Sequence, residues 1–242
     1  MYGYHFALSD LKLGYEDGRK IVVGEKLTVD EDPILYKRGL HASKQPLHAC
    51  RYASGPVLCR VRLSGQVAHG SDQSVATERR VLWLFSATGL LHHFSRWCAA
   101  QVVHLWDAPD VVLEFLRTGN ENLREEALAA AQTKVAVSVD FDEDLAARIA
   151  VRAATHVADT NVWSVVLFTA WATSKALGEY GSVLSVLSVD EPRRLIPLAR
   201  AAWSIPKSLG GDMSVLSPVV TEGFQRLIPL ARAGRLPTEI AF

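Results

Sequence analysis

Val75-Ala-Thr-Glu-Arg-Arg-Val-Leu-Trp-Leu-Phe-Ser86 is followed at once by Ala87-Thr-Gly-Leu-Leu-His-His-Phe-Ser-Arg-Trp-Cys98. The junction between these two stretches decides the fold. The first is rich in β-branched and aromatic residues and reads as a strand from Ser74 to Phe85. From within the second, Gly89 to Trp106 places Leu90, Phe94, Trp97, Cys98, Val102 and Leu105 at helical spacing. A β-rich segment therefore gives way to a helical one at about Ser86.

Upstream of the junction the pieces are short. Tyr2 to Leu8 is aromatic-rich and reads as a first strand. Gly14 to Arg19 is a turn, since Asp17-Gly18 permits positive φ. Lys20 to Val29, with Ile21, Val22 and Val23, reads as a strand broken at Gly24. Pro33 and Gly39 bracket the apolar Ile34 to Tyr36. Lys44 to Ala53 makes one short helix with Pro46 in its first turn. Val57 to Leu63 alternates as a half-buried strand.

Downstream the chain is helical. Asp110 to Arg117 ends at Gly119, and Asn120 to Lys134 is a strong helix former. Asp140 to Ala158 and Val162 to Leu177 continue the pattern. Asp140, Asp142, Glu143 and Asp144 mark a helix start, lacking the glycine and spacing of a calcium loop. The C-terminal part holds a duplication: residues 182–201 recur as 214–233, an offset of 32 residues, the length of one supersecondary unit. Pro197 and Pro229 are expected to kink or start helices, and Ile240-Ala-Phe242 to dock on the body. The expected class is α+β: a small mixed β-rich head over residues 1–86, then an all-α body over 87–242.

Composition excludes some functions. The chain has 242 residues, 49% hydrophobic and 21% charged, with 26 basic and 26 acidic residues. Such a balance gives no strong nucleic-acid signal, although a local basic patch stays open. Cys50, Cys59 and Cys98 form no CxxC pair, which fits a reducing, cytoplasmic setting. The N-terminus carries no leader pattern, and the longest apolar run, near Val162 to Ala172, is too short to span a membrane. His92, His93 and His104 lack the spacing of a metal pair, so no metal is expected.

Lys37-Arg-Gly-Leu-His-Ala-Ser43 carries the most chemistry. Gly39 allows close backbone approach by a ligand. Ser43 at a helix start can cap it and leave N–H groups facing an anion. The plainer reading makes Gly39 a turn, His41 a surface or core residue, and Ser43 an N-cap.

Gly39-Leu-His-Ala-Ser43, Pro46-Leu47 with Tyr52, Leu58-Cys-Arg-Val61 and Val75-Ala-Thr-Glu78 resemble a phage- and prophage-associated domain family over about residues 2–110. That family implies no activity by itself. More distantly, the head resembles the ADP-ribosyltransferase fold. Tyr4-His5 lies on the first strand, Gly39 to Ser43 with Tyr52 resembles the segment that frames nicotinamide, and Thr77-Glu78 resembles the late catalytic strand.

The resemblance implies NAD as substrate, Glu78 and His5 as catalytic residues, and Tyr52, His41, Ser43 and Gly39 as cofactor-binding. A glutamate would steady an oxocarbenium-like centre and an aromatic ring would stack on nicotinamide. On this reading the chain is a phage-type accessory protein with an ADP-ribosyltransferase-like or NAD-glycohydrolase-like head and a small nucleotide as ligand. The alternative is a non-catalytic interaction or virion-associated protein with a protein partner, its helical body making a homo-oligomer. The first requires His5, Tyr52 and Glu78 in one cleft. The second requires only an exposed apolar face bearing tryptophan.

Overall fold

The computed structural model describes residues 1–14, 17–135, 143–156, 162–177 and 216–240. The protein is α+β. Five strands, β1 (Tyr2–Ala7), β2 (Lys26–Thr28), β3 (Leu40–Ala42), β4 (Val57–His69) and β5 (Ser74–Ser86), all precede the larger helices. The short helix α1 (Pro46–Cys50) lies between β3 and β4. Beyond β5 come α2 (Thr88–Ala100), α3 (Asp110–Thr118), α4 (Arg124–Val135), α5 (Glu143–Thr155), α6 (Val162–Ala176) and α7 (Pro218–Arg232). The chain divides into two compact units, Met1–Gly89 and Leu90–Phe242. No helix among the described residues is long and apolar enough to cross a membrane.

The first unit is built on the long hairpin of β4 and β5. β1 pairs with the outer edge of β4, and β2 and β3 share the outer edge of β5, all antiparallel. An antiparallel bridge between Tyr4 and Ser43 ties β1 back to the end of β3. Its hydrogen bonds are Tyr4 N to Ser43 O, 2.7 Å, and Ser43 N to Tyr4 O, 2.9 Å. The sheet thus returns on itself along β1–β4–β5–β3–β1. Inside lie Ala7, Leu40, Ala42, Val57, Cys59, Val61, Leu63, Ala76 and Val81. Two irregularities bend β4 against β5, between Arg60 and Val61 and between Ser64 and Val67. Gly65 sits in the second at φ +73°, where an added Cβ would lie 2.2 Å from Thr77 Oγ1.

Several local expectations change. The strand expected over Lys20 to Val29 shrinks to β2, because Gly24 at φ +87° turns the chain. Ile34 to Tyr36 forms a turn: Arg38 N donates to Ile34 O, and Tyr36 adopts φ +62°. Ser43 does not cap α1. The N-cap is Gln45, and Ser43 is spent in the bridge to Tyr4.

In the second unit α3 ends at Gly119 in the left-handed conformation, as its sequence suggests. Phe94 of α2 packs on Phe224 of α7 at 4.6 Å between ring centroids. Gly223 is small because Trp97 occupies the space a Cβ would need. Thr173 Oγ1 donates to Cys98 O, linking α6 to α2. Within the duplication, 182–201 lies outside the described residues. The second copy contains α7, started by Ser217, whose Oγ accepts from Val219 N. Pro229 lies inside this helix and does not end it. Ile240 is buried and its N–H donates to Arg117 O. The three cysteines are free and buried.

Candidate functional site

Strand pairing sorts the candidate residues. His5 on β1 pairs with Cys59, and Cys59 with Leu84. Leu63 of β4 pairs with Arg79. His41 is the middle residue of β3 and pairs with Val75. Register alone leaves Arg79 level with Leu63 and His5 level with Cys59. The long Arg79 side chain joins them, bonding His41 O and acting by its charge on His5 and His41, while Ser43 is bonded to Tyr4, the neighbour of His5.

Arg79 is the organising group. It is only 2% exposed. Its Nη1 donates to His41 O at 2.8 Å, tying β5 to β3 from inside. Its Nε is buried with no hydrogen-bond partner among the described residues. No described carboxylate lies within ion-pair distance. Asp17, the acidic group that acts on it, is held by Arg19 at 2.6 Å. Burial lowers the guanidinium to about 10, from an ordinary 12.5. A buried cation without a paired anion is costly, and such groups concentrate at functional sites.

The histidines complete the group. His5 Nε2 is buried and unpartnered. Its pKa is held well below the usual value, first by burial and then by the charge of Arg79 and by His41. His41 is lowered too, chiefly by burial, against the opposing bond to Gly39 O and with help from Arg79. His41 Nδ1 lies 3.0 Å from Gly39 O. A carbonyl only accepts, so Nδ1 carries the proton and neutral His41 presents a lone pair at Nε2. That atom is buried without a partner, as is Ser43 Oγ. Near neutral pH the corner therefore offers one fixed cation and an acceptor.

These shifts have a consequence for stability. The folded histidines resist a proton that the unfolded chain accepts near pH 6.5. Their contribution is complete above that value and lost as pH falls through it. The urea midpoint is expected to drop between pH 7.5 and 5.5, with a shallower drop in His5→Gln. A midpoint equally pH-dependent in both proteins would contradict the assignment to His5.

Glu78 is elsewhere. It pairs with Ser64 of β4 and Thr28 of β2. It also faces away from Arg79, its chain neighbour, because successive side chains alternate. Its carboxylate takes Lys26 Nζ at 2.7 Å and Ser64 Oγ at 2.8 Å. Those hydrogen bonds lower its pKa. Glu78 is thus bonded on the face of β5 opposite Arg79, the residue whose charge acts on His5.

Tyr52 belongs to another group. Its hydroxyl donates to Asp72 Oδ2 at 2.7 Å, and Tyr36 donates to Asp72 Oδ1 at 2.9 Å. Arg51 adds an ion pair to the buried Asp72 at 3.4 Å. Burial, followed by the bond to Asp72, raises the Tyr52 pKa. Gly39 supplies backbone shape: it has φ +116°, and an added Cβ would lie 2.6 Å from Val75 Cγ2.

The sequence offers Arg79-Arg80 as a pair that could contact phosphate, without placing Arg79 among the site residues, and it does not mark Asp72. The available signal for Arg79 was alternation, since Arg79 and Val81 share one face of a strand while Arg80 takes the other. Nothing local marks Asp72. Compared with protein families, curated proteins and solved structures, the chain matches none.

Proposed function

We propose that the protein is a non-catalytic accessory protein of phage or prophage type, whose N-terminal unit binds a small phosphate-bearing ligand. The observation that carries this reading is the buried guanidinium of Arg79, which makes no ion pair among the described residues and acts on both His5 and His41. A phosphate would supply the missing negative charge through the planar donor fork. The lone pair on His41 Nε2 suits a neighbouring hydroxyl. A cation beside a hydroxyl acceptor matches a ribose phosphate, so nucleotides, NAD among them, are the ligand class favoured. Among the described residues the β1–β3 seam is held by the Tyr4–Ser43 pair of hydrogen bonds, the shortest pairing of the ring and on this reading the place where it opens.

The bonding of Glu78 supports binding without turnover. A glycosyl-transfer site needs its carboxylate beside the bond that breaks, whereas Glu78 is committed to Lys26 and Ser64. Purified protein incubated with NAD is expected to release no nicotinamide. Glu78→Gln is expected to bind ADP-ribose within about twofold of the wild type, an energy difference of about 0.4 kcal/mol. Nicotinamide release by the wild type that disappears in Glu78→Gln would overturn the non-catalytic reading.

A further inference from the structure

The outer face of the same hairpin carries a second pattern that has no part in the ligand site. Cross-strand partners share a face, and the register aligns two rows. Tyr2 pairs with Arg62, Arg62 with Arg80 and Arg80 with Lys26. Tyr4 pairs with Arg60 and Arg60 with Trp83. Ring contacts agree with this alignment. The Arg60 guanidinium lies 4.4 Å from the Tyr4 ring centroid and 5.8 Å from that of Tyr2. Tyr4 meets Trp83 edge-on at 6.3 Å, and Trp83 meets Phe85 at 5.9 Å. The face thus interleaves aromatic rings with arginines across three adjacent strands.

Its exposure and charge are distinctive. Tyr2 is 56% exposed, and Arg62 and Arg80 are exposed. Lys26 is ion-paired with Glu78, whose charge also acts on Arg62. Arg60, Arg62 and Arg80 have no described carboxylate within ion-pair distance. In a chain of zero formal net charge, three such cations on one sheet face form a local positive patch. A protein partner matching it would need acidic groups and flat apolar rings in alternation. A single strand of nucleic acid has that composition by nature: a phosphate row for the arginines and unpaired bases for the rings. A duplex hides its bases and satisfies only the charge.

We propose that this face, centred on Tyr2, Tyr4, Arg60, Arg62 and Arg80, binds single-stranded nucleic acid without sequence preference. Arginines track the backbone, and bases stack on the tyrosines. Three phosphate contacts give a slope of log K against log salt of about −2, at about −0.7 per contact for single strands.

The test uses the full chain and fluorescein-labelled U20 RNA and dT20 DNA, read by anisotropy. A 20-base-pair duplex and heparin serve as comparison polyanions. The three substituted side chains are at the surface, and a thermal melt checks that each variant is folded. Binding of either single strand at low salt is expected, with that salt slope. Arg62→Glu combined with Arg80→Glu should weaken it more than tenfold. Tyr2→Ala should weaken single-strand binding several-fold and leave heparin binding unchanged. The proposal is overturned if neither single strand binds at 50 mM salt. It is equally overturned if duplex and heparin bind as tightly as the single strands and Tyr2→Ala changes nothing, since charge alone would then explain the binding.

Discussion

Gly39→Ala is expected to destabilise the protein by about 3 kcal/mol, a large share of what a small domain has. Two costs combine. At φ +116° a side chain is strained by about 1–3 kcal/mol. The new Cβ also falls 2.6 Å from Val75 Cγ2 and 3.3 Å from Ala76 O. Val75 is fully buried, so its methyl has nowhere to go, and overpacking adds about 1–3 kcal/mol. Gly18→Asn is the control, with φ +64° and open space around it, and is expected to stay within about 1 kcal/mol of the wild type. Urea unfolding followed by circular dichroism compares the two. A Gly39→Ala cost no larger than the control's would show that β3 tolerates a side chain there. The glycine of Gly-Leu-His-Ala-Ser would then have to be explained by a ligand contact.

The second large effect concerns Arg79. Arg79→Met keeps length and apolar stem but removes the charge. Replacing a buried charge with an apolar group of similar volume is often neutral or stabilising by about 1–4 kcal/mol. The lost hydrogen bond to His41 O offsets about 1 kcal/mol of that. The variant is therefore expected to be at least as stable as the wild type. It should lose phosphate-ligand binding more than a hundredfold, equivalent to about 2.7 kcal/mol. Removing the cation should also raise the pKa of His5 and His41, which both feel it. Nuclear magnetic resonance titration of the histidine rings reads that directly. A strongly destabilised Arg79→Met would instead make Arg79 a structural tie between β5 and β3, with Arg79→Lys separating loss of charge from loss of shape.

The fold was largely legible because its signals are local. The change of period after Ser86, the left-handed stop at Gly119 and the proline at the start of α1 each follow from a few neighbouring residues. The site was less legible because it depends on pairing between distant residues. Leu40-His-Ala42 looks like a strand, but its return to β1 through Tyr4 and Ser43 depends on a contact 39 positions apart. Glu78 and Arg79 are adjacent, and a strand sends neighbours to opposite faces. The likeness around Thr77-Glu78 pointed to the glutamate, whereas the face turned inward belongs to the arginine. The basic and aromatic outer face was hidden for the same reason. Tyr2, Arg62 and Arg80 are dispersed along the sequence, and the register alone aligns them.

The ligand site and the outer face fail independently. Loss of Arg79 should leave binding to U20 unchanged, since that side chain is buried on the inner side. Loss of Tyr2, more than half exposed, should leave the inner site unchanged.

Isothermal titration of the full chain with pyrophosphate, ADP-ribose and NAD at pH 7.5, beside Arg79→Met, tests the central claim most directly. Saturable binding of at least one of these by the wild type, absent in an Arg79→Met protein that melts no lower, is the predicted result. No binding of any of the three by the wild type, or binding of equal strength by Arg79→Met, would contradict it.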